Sequence, residues 1–154
     1  MMPDHAAREL YLDDIAVGDE FVSAEHRLDA AQIIAFASQF DPQPFHLDAE
    51  AAEASFFQGL AASGWHTTAI TMRLLVQSLP FASGLIGAGA NVTWPQPTRP
   101  GDILHVRSRI ISITPSRSKP DRAIVEAHSL TYAQDGQIRQ DLTARLLAFK
   151  RASS

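Results

Sequence analysis

Residues 65–79 carry Ala69, Ile70, Met72, Leu74, Leu75, Val76 and Leu79, spaced to cover most of a helix circumference. A helix with so little polar surface has to be buried, and the rest of the chain must supply what buries it. Pro80 ends this helix, while Gly59 and the N-cap candidate Ser63 precede it. After Pro80 the pattern is strands only. Residues 85–92 form a glycine-dotted strand, and residues 103–114 a long one. Residues 116–121 are a polar turn. Strands at about 122–133 and 140–150 flank the hairpin pair Asp135-Gly136. The proline-rich run 94–102 reads as an irregular connector.

Ahead of the helix, residues up to about 20 read as an irregular lead-in that ends at the turn Val17-Gly18-Asp19. A strand follows at 21–26. Asp29 is an N-cap, Gln32 completes a capping-box pattern, and Leu28 with Ile33 can form a hydrophobic staple. Ile33, Phe36, Ala37 and Phe40 make an apolar stripe at helical spacing. Pro42 and Pro44 force this helix to stop near Phe40 and favour irregular backbone beyond it. Asp48 caps a short alanine-rich helix at about 49–57.

One strand, several helices and four more strands predict a single α+β domain spanning 1–154. Its antiparallel sheet wraps the long helix, the layout called a hotdog. An open α+β sandwich is the competing architecture. The formal net charge is −4 with no Lys/Arg block, which argues against nucleic-acid or membrane partners. The chain has no cysteine, which excludes disulfides, thiolate metal sites and a cysteine nucleophile. Asp4, His5, Arg8 and Glu9 replace the apolar core of a secretory signal, and no segment has membrane-span length. The chain reads as cytoplasmic.

The candidate chemistry lies in Asp41-Pro42-Gln43-Pro44-Phe45-His46-Leu47-Asp48 and in Gly64. Asp41 and His46 are a carboxylate and an imidazole five residues apart on a segment apolar enough to be packed. Histidine is the side chain best suited to moving a proton near neutral pH. The same residues also suit a turn cap and a half-buried surface position. Gly64 lies in the first turn of the long helix, where backbone N–H groups lack intrahelical acceptors and the helix dipole favours negative charge. Its missing side chain allows close approach of a polarised carbonyl. His46, Asp48 and His66 match no zinc spacing, so no metal is expected. Ser63 lacks a nucleophile elbow, and Gly84, Gly87 and Gly89 have no following helix to bind phosphate.

The run from Asp41 to Asp48 resembles the D-x-N-P-[apolar]-H-x-D signature of the MaoC-like hydratases, the (R)-specific enoyl-CoA hydratase group. Phe57 and Gly64 stand where that family has a phenylalanine and the glycine opening its central helix. Residues 97–104 resemble its P…GD-x-L approach to a later strand, and the likeness extends over about residues 11–150. It implies a hotdog fold, a homodimer or higher homo-oligomer, and a trans-2-enoyl thioester of coenzyme A as substrate. No cofactor is implied, because coenzyme A is part of the substrate. It also implies Asp41 and His46 as the catalytic pair and Gly64 N–H as the oxyanion donor, with Phe36, Ser63 and Trp65 as candidate pocket residues. Gln43 departs from the usual asparagine, Met72 from a serine found in some members, and Trp65 and His66 from smaller residues. Acyl preference is therefore open, and a bulky Trp65 suggests short or branched groups.

Two other functions fit the same reading. A hotdog thioesterase would cleave the thioester, and would want a carboxylate on or beside the long helix, where residues 65–79 have none. A non-catalytic acyl-CoA-binding subunit would not need both Asp41 and His46. Arg107 and Arg109 are candidates to shield a sheet edge if the chain is monomeric. Arg99, Arg117, Lys119 and Arg122 are candidates for the phosphates of coenzyme A.

Overall fold

The computed structural model describes residues 8–152, and the reading of Asp4 and His5 lies outside the described residues. The lead-in is more ordered than expected. Residues Leu12–Asp14 form a 3-10 turn, and Leu10 bridges Phe81 in parallel. Strands β1 (Glu20–Val22) and β2 (His26–Arg27) both run antiparallel along β4 (Ile103–Pro115). The single strand expected at 21–26 is thus broken at Ser23. There the Ser23 N–H donates to Val106 O at 2.9 Å, and the Ser23 hydroxyl accepts the Val106 N–H at 2.8 Å. A side-chain oxygen replaces a ladder carbonyl, and the edge bends without leaving Val106 unpaired.

With β3 (Ile86–Thr93), β5 (Arg122–Tyr132) and β6 (Ile138–Phe149), the sheet order is β1-β4-β5-β6-β3, all antiparallel. Arg107 and Arg109, considered as edge charges, lie on β4 between β1 and β5. Strand β3 forms one edge of the sheet, and the short strands β1 and β2 form the other. On β5 every second residue is buried, from Ala123 through Val125, Ala127 and Ser129 to Thr131. These small and medium side chains leave room for a helix on that face.

Helix α4 follows β-free segments α1 (Ala30–Phe40), α2 (Pro44–Leu47) and α3 (Ala49–Glu53), and spans Gly64–Ser78. Its Ile70, Leu74 and Leu75 join Leu28, Ile33, Val106 and Val125 in the core. The sheet wrapped on this helix is the hotdog arrangement. The helix is less completely buried than its composition predicts. Trp65, Met72 and Val76 are 63%, 45% and 54% exposed. Spacings of seven and eleven residues bring them to within about 20° of one stripe. The buried side carries threonines. Thr67 pairs with Thr98 at 2.9 Å, Thr71 with Thr131 at 2.7 Å, and Thr68 donates to Gln140 at 2.7 Å.

Helix α1 begins as its cap predicts, with Asp29 accepting the Gln32 N–H at 2.8 Å. The Gln32 side chain does not close the box. It bonds Arg27 O at 3.0 Å and His26 Nε2 at 2.7 Å, tying α1 to β2. Leu28 and Ile33 are fully buried at the staple positions, but Phe40 leaves the stripe and is 68% exposed. Helix α3 stops at Glu53 instead of residue 57, where the Ser55 and Gly59 N–H groups both turn back onto Ala52 O, and Gln58 and Gly59 follow at positive φ. Among the described residues no helix is long and apolar enough to cross a membrane.

The connector 94–102 is anchored by charge. Asp102, buried, accepts from Arg139 Nε at 2.9 Å and from the Arg99 N–H at 2.9 Å. Substituting Arg139→Met strands a buried carboxylate. Urea unfolding should show a loss of about 3–5 kcal/mol, and a loss below about 1 kcal/mol would mean the brace is dispensable.

Candidate active site

The prolines, expected to keep residues 42–48 irregular, instead start a helical turn. Pro44 occupies the first position of α2, where a missing N–H costs nothing and the fixed φ suits a helix. Asp41 ends α1 as its C-cap, with its N–H bonded to Ala37 O at 2.9 Å. Two short helical units meeting at Gln43 therefore aim Asp41 and His46 at each other. Asp41 Oδ2 stands 3.3 Å from His46 Nε2.

His46 is buried, and its Nδ1 lies 2.6 Å from Ala61 O. A carbonyl only accepts, so Nδ1 carries a proton, and Nε2 is the ring nitrogen that faces Asp41. Nε2 and Oδ2, 3.3 Å apart, are close enough for one water to reach both. For Asp41, burial raises the carboxyl pKa, but hydrogen bonds from Gln43 and Ser63 and the nearby His46 outweigh it and hold it below the ordinary value. Gln43 Nε2 donates to Asp41 Oδ1 at 2.5 Å. The glutamine that departs from the family asparagine thus still reaches the carboxylate.

Gly64 opens α4, and no acceptor among the described residues takes its N–H. Glycine is expected there for close approach of a ligand, and the structure shows a reason within the chain itself. A Cβ at position 64 would stand 2.7–2.8 Å from three atoms of the Trp94 indole. His46, Gly64, Phe57, Trp94 and Arg99 line one cleft of about 620 Å³. Asp41 lies off its wall, on the Nε2 side of His46.

The remaining candidates separate. Ser63, expected in the substrate pocket, is fully buried, caps α4 through the Trp65 N–H at 3.2 Å, and lowers the pKa of Asp41. Phe36 also lines neither large cleft; it stacks on His66 with centroids 4.5 Å apart. Trp65 does line a cleft, an apolar one of about 660 Å³ between α4 and β3. Burial drives His66 down to about 4, with a smaller push from His26, so the ring is neutral at pH 7. His46, Asp48 and His66 do not converge, since Asp48 caps α3. Among the described residues no group of three potential ligands is placed to hold a metal. Of the basic candidates only Arg99 reaches the cleft, and its guanidinium donates to the carbonyls of Phe57, Gly59 and Leu60. Arg122 pairs with Asp121. Trp94 and the Ala61 carbonyl were not among the expected site residues. An aromatic in a proline-rich connector is the one sequence signal that pointed to the former.

His46, with Asp41 behind it, and the Gly64 opening of α4 thus share one cleft of a hotdog scaffold. Residues 14–133 match the model of the MaoC-like domain, and the chain belongs to that family. It is 31% identical over 110 residues to the uncharacterized protein YdeM of Bacillus subtilis (strain 168), covering 70% of this chain and 78% of that one. The crystal structure of the MaoC-like dehydratase from Rhodospirillum rubrum is 61% identical, with a TM-score of 0.92 over 94% of this chain and 99% of that one. The R-hydratase PhaJ1 from Pseudomonas aeruginosa shares the fold at 23% identity, with a TM-score of 0.78 over 93% and 88% of the two chains.

Because its pKa is lowered, ionised Asp41 stabilises the fold above the ordinary carboxylate range, and that contribution disappears as pH falls through the lowered midpoint. Gln43→Leu removes a donor and leaves burial in place, so the Asp41 midpoint should rise. A carbon-13 NMR titration of the Asp41 carboxyl measures it, and an unmoved midpoint would show that Gln43 does not tune this group.

Proposed function

We propose that the chain is a hydro-lyase that reversibly adds water across a 2-enoyl-CoA thioester to give the (R)-3-hydroxyacyl-CoA, a step of fatty-acyl metabolism. The observation that carries this is the Asp41–His46 pair at 3.3 Å, with His46 oriented by the backbone three residues before Gly64. A thioester oxygen on the Gly64 N–H would sit at the positive end of α4. Asp41 and His46 would hold the water, take one proton from it as its oxygen adds to the β-carbon, and return one proton to the α-carbon. The sum is addition of H and OH, and the pair ends in its starting protonation state. The stereochemistry rests on the family resemblance. No cofactor is needed, and a coenzyme A thioester would place the work in the cytoplasm.

A homodimer is part of the proposal. Strand β3 is exposed along nearly its whole length, and beyond the apolar cleft Ile86 on β3 and Val76 on α4 add an apolar stripe at 42% and 54% exposure. An unpaired edge beside an apolar stripe is a surface that proteins cover. Light scattering should give twice 16.8 kDa for the native chain, and one chain mass for the double variant Ile86→Lys, Val76→Lys. A native mass of 16.8 kDa would remove the dimer.

The reaction is tested by following enoyl absorbance and free thiol separately on a panel of enoyl-CoA esters. Loss of absorbance without thiol is expected. Thiol release would favour a thioesterase, although α4 contains no Asp or Glu to serve one. Asp41→Asn and His46→Ala should each lower kcat by at least about 100-fold while the protein stays folded. A near-native rate in either would remove the pair from the mechanism.

A further inference from the structure

Two large clefts flank the opening of α4, and Trp94 is the one residue that lines both. On one side is the cleft of His46 and Gly64. On the other is the apolar cleft, floored by Leu75, Leu85, Leu142 and Leu146. The proton chemistry uses only the first.

The position of Trp94 is fixed from three directions. Its indole covers the Cα of Gly64, where any Cβ would collide with it. Trp65 packs edge-on against it with centroids 5.5 Å apart. Its Nε1–H donates to Gln140 Oε1 at 3.0 Å, and the same oxygen accepts from Thr68 Oγ1 at 2.7 Å. Gln140 is fully buried, and its Nε2 has no partner. A buried donor without a partner is destabilising, and an apolar side chain of similar size would fill that space without the penalty. The amide is retained at a cost, and what it does is hold one indole in one orientation between two clefts.

We propose that Trp94, held by Gln140, is the partition that sets acyl-chain length: it closes the thioester site off from the apolar cleft and restricts the chain to short acyl groups. The identity of the ligand as an acyl-CoA rests on the function proposed above. The partition itself rests on the two clefts and the indole between them.

The test measures two things on the native protein, Trp94→Ala, Trp94→Phe and Gln140→Leu, each confirmed folded by thermal melting. Calorimetry gives Kd for the saturated esters butanoyl-CoA and octanoyl-CoA, and turnover is followed on the matching 2-enoyl esters. Removing the indole joins the clefts and lets four more methylenes leave water, each worth roughly fourfold in affinity. The octanoyl-to-butanoyl preference should therefore rise at least about tenfold in Trp94→Ala, with roughly 200-fold as the ceiling. Gln140→Leu keeps the ring and loosens it, so it should shift the preference the same way by less. Trp94→Phe guards against a misfolded alanine variant and should fall between native and alanine.

An unchanged affinity ratio in folded Trp94→Ala or Trp94→Phe overturns the partition, as does a native protein that already prefers octanoyl-CoA. So does a change in oligomeric mass with no change in ratio, which would assign Trp94 to the subunit contact. If the ratio shifts but no variant hydrates any ester, the partition stands and the hydratase function falls. If neither ester binds the native protein or a variant, both fall.

Discussion

The peptide unit of Ala61 holds the site together. Its N–H donates to Phe45 O at 3.2 Å, and its carbonyl accepts from the neighbouring His46 ring at 2.6 Å. These two bonds in opposite directions lock the α2 turn to the segment that runs into α4. They place the imidazole, select its tautomer and set its distance from the α4 N-terminus. Asp41 then needs only to end α1 in the right place. The proposed base and oxyanion donor would drift independently on separate loops, whereas here the His46 ring and the Gly64 N–H both hang from one four-residue stretch, Ala61 to Gly64.

That stretch is steady because α4 is. A helix held only by leucines against a sheet could slide or rotate at little cost. The pairs Thr67–Thr98 and Thr71–Thr131, and the bond from Thr68 to Gln140, each satisfy buried hydroxyls in one register only. A shift of α4 by one residue would leave several buried polar atoms without partners, each costing roughly 1–3 kcal/mol. The threonines thus contribute specificity of placement more than net stability. The same polar seam explains why α4 carries its apolar excess outward, on Trp65, Met72 and Val76.

What could be read from the sequence is what local rules write into it. The caps Asp29, Asp48 and Ser63, the span of the long helix and the four later strands all appear where periodicity and capping put them. Asp41, His46 and Gly64 stood out because an acid, a base and a helix-opening glycine are recognisable by type and spacing. The helical turn at Pro44 was hidden because proline stops a helix at most positions and starts one at its first. Broken pairing at Ser23 depends on a hydroxyl reaching Val106, 83 residues away. Trp94 meets Gln140 across 46 residues, and His46 meets Ala61 across 15. No pattern within a window marks such partners, because the tertiary fold creates them.

The cleft walls are irregular backbone, which has no ladder to satisfy its carbonyls, and side chains must do that work. Arg99 donates to Phe57 O, Gly59 O and Leu60 O, a spread that suits the planar guanidinium and would defeat a lysine. Its own N–H goes to Asp102, and Asp102 is held in turn by Arg139 on β6. A continuous run of charge-assisted bonds therefore leads from the sheet to Leu60, the residue just before Ala61. The orientation of the His46 ring depends in this way on an ion pair that lies outside the cleft. It follows that Arg99, the one basic candidate on the cleft wall, already makes three hydrogen bonds to backbone carbonyls with its five guanidinium N–H donors. Its first service to the site is as a brace, and a phosphate recruited there would meet only the donors that the brace leaves over.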